Sequence, residues 1–105
     1  MSNTDIEESK KAAIAIKAAR TAAGLTQMEF AKMISISKAT LARVETLEIP
    51  IKLEAYFNSV RELKKLGVVI DAVSEEDILI RITKSGQERV VGLWNDTTKR
   101  RMDKK

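Results

Sequence analysis

Residues 20–45, RTAAGLTQMEFAKMISISKATLARVE, decide how the rest of this 105-residue chain is read. Gly24 is placed to end a helix as a left-handed cap, with Leu25 folding back onto the core. Thr26 then opens a second helix as its N-cap, and Glu29, three residues on, completes a capping box. Phe30, Ala31, Met33 and Ile34 supply the inward face of that helix. Ser35 and Ile36 make a turn, and Ser37 caps a third helix over about residues 38–46, held from its inner side by Leu41 and Val44. Ala31 falls where the two helices cross, and a larger side chain would wedge them apart. The stretch predicts two short helices joined by a tight turn.

Upstream, the pattern is helical from Ile6, because Ala12, Ala13, Ile16, Ala19 and Ala23 recur three and four residues apart. Lys10, Lys11, Lys17 and Arg20 are interleaved with them. Downstream, Pro50 is expected in the first turn of a fourth helix, where its missing amide does no harm. Leu53, Phe57, Val60, Leu63 and Leu66 give that helix an apolar stripe, and Gly67 ends it.

The period then falls to two. Val68, Val69, Ile70 and Ala72 read as a strand, and Glu75, Glu76 and Asp77 as a solvated acidic turn. Ile78, Ile80 and Ile82 alternate with Leu79, Arg81 and Thr83 as a second strand. Ser85-Gly86 reads as a hairpin turn into a third strand over residues 88–94. The expected fold class is mainly α, with four to five helices and a small C-terminal antiparallel β element. It divides into a helical domain (6–67), the β element (68–94) and a basic tail (95–105).

Composition narrows the chemistry. The chain is 44% hydrophobic and 32% charged with one proline, which favours a single folded core over disorder. With no cysteine and no histidine, disulfide scaffolds, thiolate metal sites and imidazole bases are excluded. No nucleophile–base set and no phosphate-cradling glycine loop is present, so neither catalysis nor a cofactor nor a metal is expected. No apolar run is long enough for a membrane span, the acidic start does not resemble a secretory signal, and a cytoplasmic setting is expected. The net charge of +4 is local: residues 99–105 (KRRMDKK) carry five basic side chains and one acidic, and the rest of the chain balances.

The third helix carries the functional signal. A solvated face is usually rich in Glu and Lys, whereas this one offers Ser37, Lys38, Ala39, Thr40, Ala42 and Arg43. Ala39 and Thr40 are small enough for close approach to a thymine methyl. Lys38 and Arg43 can donate to guanine O6 and N7, or to phosphate. Gln27, at the start of the second helix, can donate to a backbone phosphate facing that helix's N-terminal amides. In the tail, Lys99, Arg100 and Arg101 either lie in solvent or follow flanking phosphates.

Arg20, Gly24-Leu25-Thr26-Gln27, Phe30-Ala31, Ser37, Thr40-Leu41 and Val44-Glu45 together resemble the Cro and phage-repressor type of helix-turn-helix, the Xre family. The resemblance implies a lambda-repressor-like domain that regulates transcription by binding double-stranded DNA. It implies that Arg20 and Glu45 form a partly buried salt bridge between the first and third helices. It also makes Gln27 and Ser37 backbone contacts and places Lys38, Ala39 and Arg43 at base-reading positions. Ser35 departs from the family's frequent turn glycine, and a left-handed conformation there costs about 1 kcal/mol.

One such helix reads only a few base pairs, so a homodimer on an inverted repeat is expected, acting as a repressor. Ile78, Ile80 and Ile82 are the dimerisation candidates, though the same face can instead cover the chain's own helices. Trp94 is either core or an anchor for a protein partner. Two rival functions share the fold: the antitoxin of a toxin–antitoxin pair, and a protein-interaction module that no longer binds DNA.

Overall fold

The computed structural model describes residues 7–73 and 76–95. Along the chain come α1 (Glu8–Ala22), α2 (Gln27–Met33), α3 (Lys38–Glu45), α4 (Leu53–Lys65), β1 (Val68–Val73), β2 (Ile78–Ile82) and α5 (Lys84–Asn95). Ile6, Glu75 and the tail residues Lys99, Arg100, Arg101, Lys104 and Lys105 lie outside the described residues. No described helix is long and apolar enough to cross a membrane.

The first three helices end in the same device. After α1, the amide of Gly24 donates to Thr21 and that of Leu25 to Arg20. After α2, Ser35 donates to Lys32 and Ile36 to Ala31; after α3, Leu47 donates to Val44 and Glu48 to Arg43. Each pair satisfies carbonyls that the helix end leaves open and turns the chain through one left-handed residue. That residue is Gly24 (φ +73°), then Ser35 (φ 61°), then Leu47 (φ 67°), and Gly67 (φ +84°) repeats the conformation after α4. Serine and leucine carry a Cβ there, at a cost of about 1–2 kcal/mol each. The strain at Ser35 follows from the missing turn glycine; that at Leu47 has no counterpart in the sequence pattern.

Helix starts are as local as the ends. Thr26 and Glu29 form the reciprocal capping box of α2, and Ser37 Oγ accepts from the Thr40 amide at 3.0 Å. Between α3 and α4 the expectation shifts slightly. Pro50 precedes the helix instead of entering its first turn, because α4 begins only at Leu53.

Ile16, Ala19 and Ala23 from α1 and its cap, Phe30, Ala31 and Ile34 around α2, Leu41 from α3, Leu63 from α4 and Val68 from β1 pack as one core. The face of α4 that enters it is the expected one only in part: Leu63 is buried and Leu66 packs against the core, but the stripe does not continue through Leu53 and Phe57. Ala55, Ser59 and Leu63 are buried, whereas Leu53 (68% exposed) and Phe57 (57%) point away. Small side chains let α4 approach the alanine-rich α1 closely, and Ser59 satisfies its hydroxyl on the Ala55 carbonyl at 2.7 Å.

β1 and β2 form an antiparallel pair with Ile70 opposite Ile80 and an irregularity between Ile70 and Ala72. On the outside, Asp71 bridges Arg81 at 2.9 Å, and its hydrogen bond and charge push the guanidinium pKa up. Ile70 and Ile80 pack against the helical core, so the hairpin belongs to the same core as the helices. Ile80, named as a dimerisation candidate, is therefore engaged internally. Ile78 is half-buried, and Ile82 is the more open member of the three.

The third strand expected over residues 88–94 is α5. Thr83, placed in β2 by pattern, instead caps that helix: its Oγ1 accepts from the Gly86 amide at 3.1 Å and its carbonyl from Gln87 at 2.9 Å. Ser85-Gly86 is the first turn of a helix and not a hairpin. Gly86 serves a close approach: a Cβ there would overlap the carbonyl oxygen of Gly67, which also accepts from the Thr83 amide at 2.8 Å. Trp94 is 69% exposed and joins no core.

The two glycines of α5 make opposite predictions. Gly86→Ala should lower stability by about 1–3 kcal/mol through overpacking against Gly67, despite alanine's better helix propensity. A Cβ on Gly92 would meet nothing within 4 Å. Gly92→Ala should therefore raise stability by about 0.4–1 kcal/mol. Denaturant unfolding of both variants checks the pair, and a stabilising Gly86→Ala would contradict the contact.

Candidate nucleic-acid interface

A helix offered to a duplex is useful only if its orientation is fixed from behind. On the inner side of α3, Leu41 and Val44 are fully buried, and Glu45 beside them carries a charge into the same environment. A buried carboxylate is costly unless it is paired and hydrogen-bonded. Here it receives three donors. Arg20 Nε reaches Oε2 at 2.7 Å, Arg20 Nη2 reaches Oε1 at 3.0 Å, and Gln27 Nε2 reaches Oε1 at 2.9 Å. The Glu45 side chain is 1% exposed and that of Arg20 13%. Arg20 Nη1 donates in addition to the Leu25 carbonyl at 2.7 Å, just past the Gly24 turn. One network thus ties α1, the corner after it, α2 and α3 together.

Gln27 accordingly has a second occupation. One amide proton is held by Glu45, and since a carboxylate only accepts, that contact fixes which way round the amide sits. Its carbonyl oxygen and remaining proton are left for other partners. Ser37 is similarly engaged: its Oγ accepts from the Thr40 amide and donates to Thr40 Oγ1 at 2.8 Å. In this arrangement the hydroxyl proton of the pair left for an outside acceptor belongs to Thr40.

The outward side of α3 carries Lys38, Ala39 and Arg43 exposed, with Thr40 and Ala42 half-buried. Lys38 makes no ion pair among the described residues. Arg43 stands 3.9 Å from Glu48, with both side chains more than half exposed, and Glu48 also accepts from Thr46 Oγ1 at 2.8 Å. An exposed pair at that distance contributes about 0–1 kcal/mol, so it leaves the guanidinium easy to redirect. Nothing in the sequence pattern points to Glu48; its spacing of five from Arg43 across a left-handed turn gives no helical signal.

A further brace comes from α5. Arg89 Nη1 donates to the Ala23 carbonyl, and Leu93 Cδ1 lies 3.1 Å from where a Cβ on Gly24 would stand. α5 therefore lies against the corner that precedes α2. Among the described residues no group of His, Cys, Asp or Glu is arranged to hold a metal ion.

Against known proteins, a family model described as helix-turn-helix matches residues 16–58, from the middle of α1 into α4. The match contains the whole network around Glu45 and stops before the hairpin and α5. No curated protein and no solved structure matches the chain.

Removing one partner from the network leaves the other charge buried. Arg20→Ala should destabilise the fold by about 3–5 kcal/mol. Denaturant unfolding checks this, and a variant as stable as the parent would show that the pair does not hold α3 in place.

Proposed function

We propose that this protein is a sequence-specific repressor of the Xre type, a reading supported by the helix-turn-helix family model that matches residues 16–58. It binds an inverted-repeat operator in double-stranded DNA as a homodimer, in the cytoplasm. The observation that carries the reading is the outward face of α3: small, polar and basic, on a helix whose inner side is locked by Glu45, Arg20 and Gln27. In the major groove, Lys38 and Arg43 donate to guanine edges, while Ala39 and the methyl of Thr40 lie against thymine methyls. The Thr40 hydroxyl donates to a base or phosphate acceptor. The N-terminus of α2, with the free proton of Gln27, meets the backbone and sets the register. Ser37 acts by holding Thr40 and opening the helix.

A dimer presents two α3 helices to half-sites about one helical turn, roughly 34 Å, apart. Leu79 and Ile82 on β2 and Val91 and Trp94 on α5 remain open. They are the side chains offered for self-association in place of Ile80. Trp94 also favours a second reading, in which the chain is an antitoxin that binds its operator and a toxin protein, since an exposed tryptophan suits an interface.

Selection from a random duplex library at near-physiological salt should recover an inverted repeat whose half-site spacing reports how the two α3 helices are held. Folded protein that enriches no duplex would overturn the reading. On the recovered operator, Arg43→Ala and Lys38→Ala should each cost about 1–3 kcal/mol of binding and relax specificity at one position. A variant that weakens equally on every sequence marks that residue as a phosphate contact instead.

A further inference from the structure

The turn after α3 carries strain that nothing at the strained residue offsets. Leu47 is left-handed (φ 67°) without being glycine, and its side chain is 44% exposed, so it gains little packing there. Strain of this kind persists where surrounding contacts over-determine the backbone, and such positions cluster at functional sites. The residue those contacts fix is Glu48. Its amide donates to the Arg43 carbonyl at 2.9 Å, and its Oε2 accepts from Thr46 Oγ1 at 2.8 Å. The Thr46 hydroxyl has one proton, with the Ala42 and Arg43 carbonyls also in reach at 3.0 and 3.2 Å; the carboxylate is the nearest of these acceptors.

The other carboxylate oxygen, Oε1, stands 3.9 Å from Arg43 Nε, too far for a hydrogen bond. The approach is to one edge of the guanidinium. That group is a rigid planar fork whose donors leave in fixed directions. With a carboxylate on the Nε edge, the terminal nitrogens Nη1 and Nη2 remain to meet guanine O6 and N7 together. In water the contact holds little energy. Against a duplex, where water is displaced, the same attraction grows. If Arg43 turned to a phosphate instead, the cost would fall on Glu48, which would face a like charge.

We propose that Glu48 is a positioning residue that sets the specificity of Arg43. On DNA its carboxylate closes onto Nε, commits Nη1 and Nη2 to a guanine edge, and disfavours the phosphate alternative. This rests on the proposal that α3 reads DNA. Glu48 itself reads no base; it acts through the arginine five residues before it.

The test compares Arg43→Ala, Glu48→Ala and the double variant, in the full chain, on an operator recovered by selection and on its single-base variants. The base pair whose preference Arg43→Ala abolishes is the one Arg43 reads. Glu48→Ala should lower the preference at that same base pair about 3- to 10-fold, a coupling usual for neighbouring residues, and leave the other positions as they were. Glu48→Gln, which keeps an acceptor and loses the charge, should retain part of the preference. Affinity for unrelated duplex should hold or rise, whereas a loosened α3 would weaken it. With Arg43 already replaced, replacing Glu48 should change the preference at no position. A Glu48→Ala chain with the parent's preferences, one weakened alike on every sequence, or one whose effect persists without Arg43 overturns the assignment while leaving α3 as the reader. So does an Arg43→Ala chain that alters no base preference, because the guanidinium then has no edge to be positioned on. If the parent enriches no duplex, the DNA-reading proposal fails first and this one with it.

Discussion

A single carboxylate sets the geometry of the helix-turn-helix. The Glu45 side chain is almost wholly removed from water, and it is tolerable only where donors converge on it. Two come from Arg20 on α1 and one from Gln27 on α2. Shifting α3 along or around its axis would break those contacts and strand a charge, so α3 has few alternative positions. The constraint extends outward, because the third donor group of Arg20 requires the Leu25 carbonyl. That carbonyl is in place only because Gly24 turns the chain left-handed. α5 then braces the same corner from outside, through Ala23 and Gly24.

What the sequence makes legible here is what local chemistry decides. Thr26 with Glu29, Ser37 before Thr40, and Gly24 after an alanine-rich helix are signals contained within four residues, and the elements they bound are where the pattern puts them. The errors occur where a distant partner chose the residue. Gly86 is a glycine because Gly67 lies against it, yet beside Ser85 it reads as a turn, and that reading hides α5. Leu47 takes a left-handed conformation without the glycine that would announce it. On α4 Leu63 and Leu66 face the core as the stripe implies, but Leu53 and Phe57 mislead, since closeness to α1 selects Ala55 and Ser59 for the interior and leaves those two outside.

The hairpin shows the same limit in another form. Alternation in β2 correctly marks an apolar face, but alternation cannot say what covers it. The core reaches up to Ile70 and Ile80, so part of the face belongs to the chain's own helices. Among the candidate DNA contacts, Gln27 and Ser37 look equivalent in sequence to any exposed amide and hydroxyl. Their engagement with Glu45 and Thr40 depends on the fold and on hydroxyl geometry.

Two arginine–glutamate pairs in this one motif have opposite consequences, and burial is what separates them. Arg20 meets Glu45 in two-point geometry with water excluded; opening that pair would leave a charge without solvent or partner, so Arg20 is fixed to the scaffold. Arg43 stands 3.9 Å from Glu48 with both side chains open to solvent. Water already competes for each of them, and the pair holds little energy to lose. Exchanging Glu48 for a guanine edge or a phosphate therefore costs Arg43 almost nothing. Had the same two residue types been reversed in burial, α3 would present a committed guanidinium outward and lose its anchor inward. The sequence positions name two arginines; only their solvent exposure assigns one to hold the helix and leaves the other open to the reading role proposed for it.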